Sequence, residues 1–539
     1  MKNKSLWIKA ILVLLVLCGT LILAACGAEE TGKTTKKNKV CKHEYGAWVT
    51  VKEPTCSKAG EEKRTCKLCK ETQKVAISTV EHKYGEWEIT AANCSNGEVK
   101  THKCTVCKHK EEEKSEVLGY HEYVDYTCKH CKAKASKLVY TKSEDEKYYI
   151  VSGMGECKDT EVVVMDIFEK LPVTVIADNA FAGCDKITKI SLPETITEIG
   201  AGAFDGCKAL AEIVIPKSVT SIGAGAFAKC DAMATITLPF VGAQKDGETN
   251  THFGYIFGAA DESGNKKAMP NALATVKLVG VEVIPAYAFS GCNKITAIEL
   301  PEGLKVIGNN AFSNCDALAA VTSPATVEEM GNMAFYGCDA LATVTITDGA
   351  KYVGNYAFAN CVALAQIVVP QSIEAIGDSA FKGCIALKTV TLEGENLKTI
   401  GESAFENCTA IAALAFNKGT ETIQDKAFAG CTALASVTFS ESIKSIGDFA
   451  FSGCVKINKI TITKNITIIG ESAFAGCAAL ETVELETGAK LTVIEQNAFA
   501  DCAALKEITS GKTESEWNAI TKLTDWDKNA GKYEVKFKK

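Results

Sequence analysis

The sequence predicts a mainly β solenoid of stacked coils, preceded by small cysteine- and histidine-rich modules. Ala-Phe-x-x-Cys occurs thirteen times between residues 180 and 502, mostly at steps of 23 residues. Each step also contains short segments in which apolar and polar residues alternate. Such period-2 segments within a fixed repeat of 20–29 residues are typical of β coils that stack on one another. A chain of 539 residues is also too long for one ordinary core.

One coil is illustrated by residues 209–230, ALAEIVIPKSVTSIGAGAFAKC. Ile213 and Ile215 belong to a short predicted strand, a proline turn follows, and Val219 and Ile222 form a second apolar pair before Ala-Phe. The regular spacing of Phe and Cys indicates packing. We therefore expect each Phe to stack on the Phe of the next coil. Each Cys should fill a small buried slot as a reduced, inert thiol.

Three motifs of this coil resemble a known family. Ile-x-Ile-Pro, Val-Thr-x-Ile-Gly and Ala-Phe-x-x-Cys together resemble the BspA-like leucine-rich repeats of bacterial surface proteins. The resemblance covers roughly residues 140–539, including an opening unit at 138–176. It implies a leucine-rich-repeat solenoid over residues 137–510 and a closing cap over 511–539. It also implies a non-catalytic role in recognition or adhesion at the cell surface.

The N-terminus predicts export and lipidation. Three lysines precede an apolar run over residues 10–25, as in a secretory signal. The run ends in Leu-Ala-Ala-Cys, which resembles a lipobox and implies that Cys26 is diacylated. Residues 1–25 are then a lipoprotein signal peptide, and 26–40 are the lipidated Cys and a polar, flexible tether. The alternative is an uncleaved membrane anchor, for which the run is short.

Residues 41–136 contain three Cys/His repeats, which we interpret as a zinc-ribbon-like stalk. His43-Glu-Tyr-Gly-Ala-Trp recurs at His82, and His121-Glu-Tyr opens a third copy. These repeats resemble Cys/His repeats that precede repeat domains in surface proteins of Gram-positive bacteria. The candidate zinc ligands are a histidine of each copy, a lone cysteine of the first two copies and a Cys-x2-Cys pair in each copy: His43, Cys56, Cys66, Cys69, His82, Cys94, Cys104, Cys107, His121, Cys128 and Cys131.

A Cys-x2-Cys pair chelates one metal ion from a tight turn, and a tetrahedral zinc site needs two further ligands. We expect Cys56, Cys66 and Cys69 to act with His43 or His82. We expect Cys94, Cys104 and Cys107 to act with His82 or His121. Spacing does not decide between these histidines. Disulfides are the alternative for an exported chain, although the nine cysteines between 41 and 131 would leave one unpaired. In either case the role is structural, because such small modules lack a sufficient core.

Other residues of the modules have simpler interpretations. We expect Trp48 and Trp87 to pack within their own modules. His102, His109 and His130 lie beside lysines and cysteines, and we expect them to be solvated.

The region 239–271 breaks the repeat and is the predicted partner-contact region, because insertions in solenoids map to one face and often carry the binding site. Its aromatic segment Phe-Gly-Tyr-Ile-Phe-Gly is expected to pack onto the coil. Its polar flanks supply the candidate partner-binding residues: Gln244, Lys245, Asp246, Glu248, Asp261, Glu262 and Lys266. The outward positions of the predicted strands hold mostly small β-favouring residues, and we expect no strong contact there.

Composition and motifs argue against catalysis and nucleic-acid binding. Six of the seven histidines lie in the front modules, which leaves His252 alone in the following 400 residues. No metalloprotease, nucleophile-elbow or phosphate-binding motif occurs. Arg64 is the only arginine, and residues 140–539 carry 49 acidic against 34 basic side chains. The predicted partner is a protein on host or neighbouring cells, with membrane contact through the lipid anchor only. The alternatives are an envelope scaffold or a cell-wall- or glycan-binding lipoprotein.

Overall fold

The structure, a computed structural model, describes residues 43–90, 99–114, 123–129 and 132–537. Its residues fall into two compact units. The first contains residues 43–90 and 99–114, and the second contains the remainder. Within the described residues no helix has the length and apolarity that a membrane span requires.

The first unit consists of two three-stranded antiparallel sheets with the same strand order. In each sheet the Cys-x2-Cys turn joins the second strand to the third. The strands are β1 (Val49–Lys52), β2 (Gly60–Thr65) and β3 (Thr72–Ile77), then β4 (Glu88–Thr90), β5 (Val99–Lys103) and β6 (Lys110–Lys114). Among the described side chains of this unit, only those of Cys66, Thr101 and Cys104 are buried. The two modules therefore have almost no apolar core.

The second unit begins with a hairpin of β7 (Tyr123–Val124) and β8 (Thr127–Cys128) and continues into the opening segment of the solenoid. The segments 138–140, 148–153 and 172–176, predicted as an opening unit, lie in or beside strands. The opening strands are β9 (Val139–Lys142), β10 (Tyr149–Gly153), β11 (Glu161–Val163), β12 (Ile167–Phe168) and β13 (Leu171–Ile176). Strands β9 and β10 pair antiparallel, and β13 then pairs parallel with β10.

Each coil contributes two strands, and the strands of successive coils pair in parallel to form two ladders. Ile213 lies opposite Ile236 in the first ladder, and Ile199 lies opposite Ile222 in the second, so one step of 23 residues is one coil. The predicted mainly β leucine-rich-repeat solenoid is thus confirmed.

The first ladder runs from β11 through one strand of each coil towards the C-terminus. Its strands form four successive sheets, with breaks in pairing between β21 and β23, between β29 and β31, and between β33 and β35. Its strands are β14 (Lys189–Ser191), β16 (Glu212–Val214), β18 (Thr235–Leu238), β19 (Thr275–Leu278), β21 (Ala297–Glu299), β23 (Ala320–Thr322), β25 (Thr343–Thr345), β27 (Gln366–Val369), β29 (Thr389–Leu392), β31 (Ala413–Ala415), β33 (Ser436–Thr438), β35 (Lys459–Ile462), β37 (Thr482–Leu485), β39 (Glu507–Ser510) and β41 (Glu534–Phe537).

The second ladder uses the second apolar pair of each coil. After β13 its strands are β15 (Glu198–Ile199), β17 (Ser221–Ile222), β20 (Val283–Ile284), β22 (Val306–Ile307), β24 (Glu329–Met330), β26 (Tyr352–Val353), β28 (Ala375–Ile376), β30 (Thr399–Ile400), β32 (Thr422–Ile423), β34 (Ser445–Ile446), β36 (Ile468–Ile469), β38 (Val493–Ile494) and β40 (Thr521–Lys522). The ladder is interrupted between β17 and β20.

The repeat phenylalanines form a continuous stack along most of the solenoid, as predicted. Rings of consecutive coils lie 5.1–5.4 Å apart between centroids and within 2–8° of parallel. At the C-terminal end Phe499 meets Trp526 edge-on, with centroids 6.0 Å apart. The cap helix α2 (Glu514–Asn518) buries Trp517 beside it and begins at a capping box formed by Thr513 and Glu516.

The repeat cysteines are buried in every coil except the first, where Cys184 is half-buried. Their role goes beyond filling space. The Phe358 carbonyl accepts the Cys361 N–H of its own turn (3.2 Å) and also the Cys384 thiol of the next coil (3.1 Å). Equivalent thiol–carbonyl bonds recur along the column. Each thiol therefore supplies a buried carbonyl with a second donor, which an aliphatic side chain of similar size cannot do.

The residue before each repeat Cys has a left-handed backbone, with φ between 53° and 76°. Eight of these thirteen residues are glycine and three are asparagine. This preference follows from the low cost of positive φ for Gly and Asn. The left-handed backbone therefore explains why Gly or Asn usually precedes the Cys of Ala-Phe-x-x-Cys.

The buried stack should dominate the stability of a coil. We predict that Phe451→Ala lowers the free energy of unfolding by about 3–5 kcal/mol, because it removes a fully buried ring from the middle of the stack. Phe449→Ala is the matched control, since Phe449 is 36% exposed and should change stability by only about 0.5 kcal/mol. Urea denaturation of the full chain measures both values. Equal losses for the two variants would contradict the packing account.

The cysteine column predicts an alkaline limit to stability. Burial raises the pKa of the Cys454 thiol from 9.0 to about 12. Because the pKa of the folded state is raised, the contribution of this buried thiol to the free energy of unfolding is fully present below pH 9 and is lost as the pH rises from 9 towards 12.

The burial of the column also predicts the order in which the cysteines react. We expect native-state thiol labelling at pH 8 to modify the half-buried Cys157 and Cys184 long before Cys361 or Cys454. Rapid labelling of the deep column in folded protein would contradict this prediction.

Candidate metal clusters and the partner surface

The three Cys-x2-Cys turns have the same backbone geometry. In each, the first cysteine N–H donates to a carbonyl five residues later at 2.8 Å. The N–H four residues after that cysteine donates back to the cysteine carbonyl at 3.0–3.1 Å. The donating lysine has a left-handed backbone in every case, namely Lys70, Lys108 and Lys132. In the first two turns, whose cysteines are all described, both sulfurs of the pair lie close together at a tight loop, as a metal knuckle requires.

Two groups of cysteine and histidine side chains can hold a metal ion. The first is His43, Cys66 and Cys69, and the second is Cys56, His82, Cys104 and Cys107. Within each group the donor atoms all lie within 4.8 Å of one another. The remaining predicted ligands are placed differently. Cys128 is buried in the third turn, whereas Cys94, His121 and Cys131 lie outside the described residues, as does the predicted lipidation residue Cys26.

The first cluster contains a hydrogen-bonded histidine. Cys69 Sγ lies 3.2 Å from His43 Nδ1, and His43 Nε2 lies 3.2 Å from a Glu71 carboxylate oxygen. A carboxylate on the far nitrogen of a metal-binding histidine orients the ring and raises its basicity. The described residues supply three donors to this cluster.

Cys56 is grouped differently from the sequence-based expectation, which assigned it to Cys66 and Cys69 of its own module. Its sulfur lies 3.4 Å from Cys104 Sγ of the following module. Spacing along the chain did not reveal this arrangement, because it depends on how the β1–β2 turn of one module faces the knuckle of the next.

The module aromatics pack within the modules, as predicted. The Arg64 guanidinium lies 4.6 Å from the ring centroids of both Tyr45 and Trp48. The expectation that His102 is solvated was wrong. Its ring stacks on Trp87 with centroids 3.6 Å apart, and its side chain is only 12% exposed. His109 is exposed as expected, and His130 lies outside the described residues.

The insertion 239–271 supplies a substitute for one coil of the stack. The Phe227 N–H donates to Ile256 O, and the Phe253 N–H donates to Ala288 O. Phe253 and Phe257 lie in a 3₁₀ helix, Phe253–Phe257, and are buried. The Phe253 ring reaches Phe289 of the next coil, with centroids 4.9 Å apart. The expectation that this aromatic segment packs onto the coil is confirmed.

Asn265 is an anchor of the insertion that sequence reasoning missed. It is fully buried at the start of helix α1 (Asn265–Ala268). Its Oδ1 accepts the Gly254 N–H at 2.7 Å, and its Nδ2 donates to Ser290 O at 3.0 Å. His252 is also buried, with Nε2 3.3 Å from Ala259 O. The His252 ring also meets Tyr255 edge-on, with centroids 6.0 Å apart.

The polar flanks of the insertion lie at the surface. Gln244, Lys245, Asp246 and Glu248 are exposed, in the gap that interrupts the second ladder. Asp261, Glu262 and Lys266 are exposed in the 3₁₀ helix Glu262–Gly264, its N-cap and helix α1.

A groove of about 550 Å³ lies between the first flank and the next coil, and Lys245, Asp246, Glu282 and Val283 are among its lining residues. Lys305 Nζ lies 2.7 Å from Glu282 Oε2. This bond holds the pKa of the Glu282 carboxyl below its usual range, with a smaller contribution from Lys245. The groove is thus lined by both charged and apolar side chains.

Exposed aromatic residues lie in the coils that follow the insertion, with Tyr287 in the first of them and Tyr352 and Tyr356 three coils further on. The second ladder and its adjoining turn carry Val283, Tyr287, Tyr352 and Tyr356, which are exposed by 52%, 44%, 55% and 39%. Tyr287 and Tyr356 also have φ of 59° and 55°. Positive φ is costly for bulky residues, so folding alone does not favour tyrosine there.

The comparisons with known proteins agree with this architecture. The sequence matches the BspA type leucine rich repeat region in six copies, over residues 167–245, 282–412 and 398–520. The chain therefore belongs to the BspA-type leucine-rich-repeat family. The leucine-rich-repeat solenoid is typically a non-catalytic fold, and the family is typically found at the cell surface. No curated protein matches the sequence.

Three solved structures illustrate the similarity. A leucine-rich repeat protein from Bacteroides ovatus is 25% identical, with 74% of this chain and 98% of that chain covered and a TM-score of 0.49. A leucine rich cell surface protein from Faecalibacterium prausnitzii is 24% identical, with coverage of 72% and 98% and a TM-score of 0.32. The pneumococcal vaccine antigen PcpA is 18% identical, with coverage of 61% and 94% and a TM-score of 0.36.

Proposed function

We propose that this protein is a cell-surface lipoprotein that recognises a protein on host or neighbouring cells and performs no catalysis. Its family supports a role in protein–protein interaction. The observation that carries the proposal is the surface around the gap in the second ladder, where the exposed residues Gln244–Asp246 line a groove with the next coil. That next coil also carries the exposed Tyr287. Tyrosine anchors surrounded by polar groups are typical of binding surfaces.

The rest of the solenoid supports this choice of surface. The first ladder offers small outward side chains such as Thr343, Thr345 and Thr391. Such side chains favour strands but provide little anchoring area. The insertion, in contrast, is held rigidly by Phe253 and Asn265 while its polar flanks stay exposed. A rigid support reduces the entropy lost on binding.

The proposed anchor is a diacylated Cys26, with residues 26–40 as a tether that holds the stalk and solenoid outside the membrane. The basic and apolar residues before Cys26 support this proposal. Membrane contact then comes through the lipid alone, and nucleic acid is not a partner of this predominantly acidic solenoid.

Adhesion measurements test the proposed surface. We predict that replacing Gln244, Lys245, Asp246, Glu248, Asp261, Glu262 and Lys266 by serine weakens adherence about tenfold or more. Loss of two contacts worth about 1 kcal/mol each is sufficient for this. Bacteria that display the full chain are counted on cultured epithelial cells and in mixed bacterial aggregates. Cys26→Ser, which should release the chain from the cell, sets the baseline.

A matched control changes the same number and sign of charges far from the insertion. It replaces Glu393, Glu395, Glu402, Gln424, Lys426, Glu441 and Lys444, all exposed, and adherence should persist. Equal effects of both variants would contradict a localised surface. A different result would favour an envelope scaffold. In that case Cys26→Ser would leave adherence unchanged, and purified cell wall would retain the chain.

We also propose that the front clusters hold structural zinc. Cysteine and histidine are the ligands that structural zinc sites use, with four donors in a tetrahedron. The near absence of buried apolar side chains in the first unit supports a metal staple, because modules this small need a source of stability besides their core.

A further inference from the structure

We infer that the second metal site is shared between two modules, with Cys56 of the first module completing the site formed by His82, Cys104 and Cys107 of the second. This inference rests on the proposed zinc role and adds the identity of the four ligands. It makes the metal a joint between modules as well as a staple within one.

The distances match one tetrahedral ion. Cys56 Sγ lies 3.4 Å from Cys104 Sγ, and Cys107 Sγ lies 3.2 Å from His82 Nδ1. All four donor atoms lie within 4.8 Å of one another. A zinc ion with Zn–S bonds of about 2.3 Å and a Zn–N bond of about 2.0 Å separates its ligand atoms by roughly 3.5–3.8 Å. The cluster is thus close to the required size with one donor at each corner.

Three local features place the four donors. Cys104 and Cys107 belong to the knuckle between β5 and β6, and His82 precedes β4. Cys56 lies in the turn between β1 and β2, so it reaches the cluster from the first module. Cys104 is fully buried, while the other three donors are half-buried, which leaves the sulfurs shielded from bulk water on one side.

The imidazole has a stacking partner that limits its rotation. The His82 ring stacks on His109 with centroids 4.7 Å apart and an interplanar angle of 22°. It also meets Tyr84 at 5.5 Å. These contacts hold the ring in an orientation that directs Nδ1 towards the cysteines, as surrounding groups do at other metal sites.

The alternative donor set is less consistent with the structure. The cluster of His43, Cys66 and Cys69 lies in the first module, yet Cys56 of that module is grouped with the second cluster. If Cys56 served its own module, the second cluster would retain three of its four described donors. Among the described residues, a complete Cys3His set arises only when Cys56 crosses between the modules.

The consequence concerns the stalk. The two sheets of the first unit share scarcely any apolar core, so a shared ion would fix the spacing between them with coordinate bonds. Removing Cys56 would then both weaken one site and uncouple the modules.

Zinc content of the full chain, purified in detergent with a reductant, tests the shared site. Cys56→Ser should lower tightly bound zinc by one ion per chain, and so should Cys104→Ser. The double variant C56S/C104S should lose no more than either single variant, because both ligands belong to one site. C56S/C66S should lose two ions. The matched control Cys157→Ser changes a half-buried cysteine outside both clusters and should keep all the zinc.

Other outcomes overturn the inference in distinguishable ways. If C56S and C66S together lose only one ion, whereas C56S and C104S lose two, Cys56 serves its own module and the zinc role stands. Full zinc content in C56S would also refute the shared site but would leave the proposed zinc role intact. A chain without zinc, or a Cys56–Cys104 disulfide found by mass spectrometry in the exported protein, refutes the zinc role as well.

A second variant covers the case in which Cys56→Ser fails to fold. Cys56→His keeps a donor at the same position and should keep the zinc. When cobalt(II) replaces zinc, this variant should show weaker thiolate-to-metal charge-transfer absorption than the wild-type chain, because one sulfur ligand is lost. Unchanged absorption would show that Cys56 binds no metal.

Discussion

The solenoid depends on the repeated Phe-Cys arrangement, in which most of the buried rings stack on the ring of the next coil. Most of the Phe carbonyls accept the Cys N–H of their own turn and the Cys thiol of the following coil. A single coil cannot bury its apolar face, so stability comes from stacking neighbours. The Phe358 turn shows both parts of the arrangement, with rings 5.3–5.4 Å away on either side and the Cys384 thiol on its carbonyl. Any interruption of the coil sequence must therefore supply replacements for these groups.

The insertion meets this requirement and so creates the candidate binding surface. Phe253 and Phe257 occupy the place of a repeat turn, and the first ladder passes from β18 directly to β19 in register. The second ladder does not continue across the insertion. The polar flank around Lys245 occupies that gap, beside the groove at Val283. At the insertion the core and the first ladder continue while the second ladder is interrupted, so an exposed irregular surface lies on a well-packed support.

The sequence was sufficient for features that repeat and insufficient for features that occur once. Thirteen copies of Ala-Phe-x-x-Cys made the Phe stack and the buried thiols predictable, because the same local environment recurs at a fixed spacing. Asn265 was missed because its hydrogen bonds to Gly254 and Ser290 join segments whose approach no periodic pattern encodes. Tyr352 was missed because it lies in the outward column of the second ladder, whereas the predicted contact residues all lie in the insertion. A tyrosine among the Val, Glu and Thr of that column provides the signal.

The sequence also could not predict which cysteines of different modules lie close together. Cys-x2-Cys spacing predicted the knuckles around Cys66 and Cys104, because two cysteines three positions apart form a tight chelating turn by themselves. The position of Cys56 depends on the packing of one module against another. Cys56 and Cys94 precede their own Cys-x2-Cys pairs by the same number of residues, so the spacing gave no indication of that packing.

The central claim is that recognition occurs at the interrupted second ladder rather than along the regular solenoid. The most direct measurement places a photo-crosslinking amino acid at Lys245 or, for comparison, at Lys444 on the regular part of the same ladder. Cells displaying the full chain are irradiated in contact with epithelial cells. The account predicts a discrete cross-linked protein from position 245 and none from position 444. Equal cross-linking from both positions, or cross-linking from 444 alone, would contradict it.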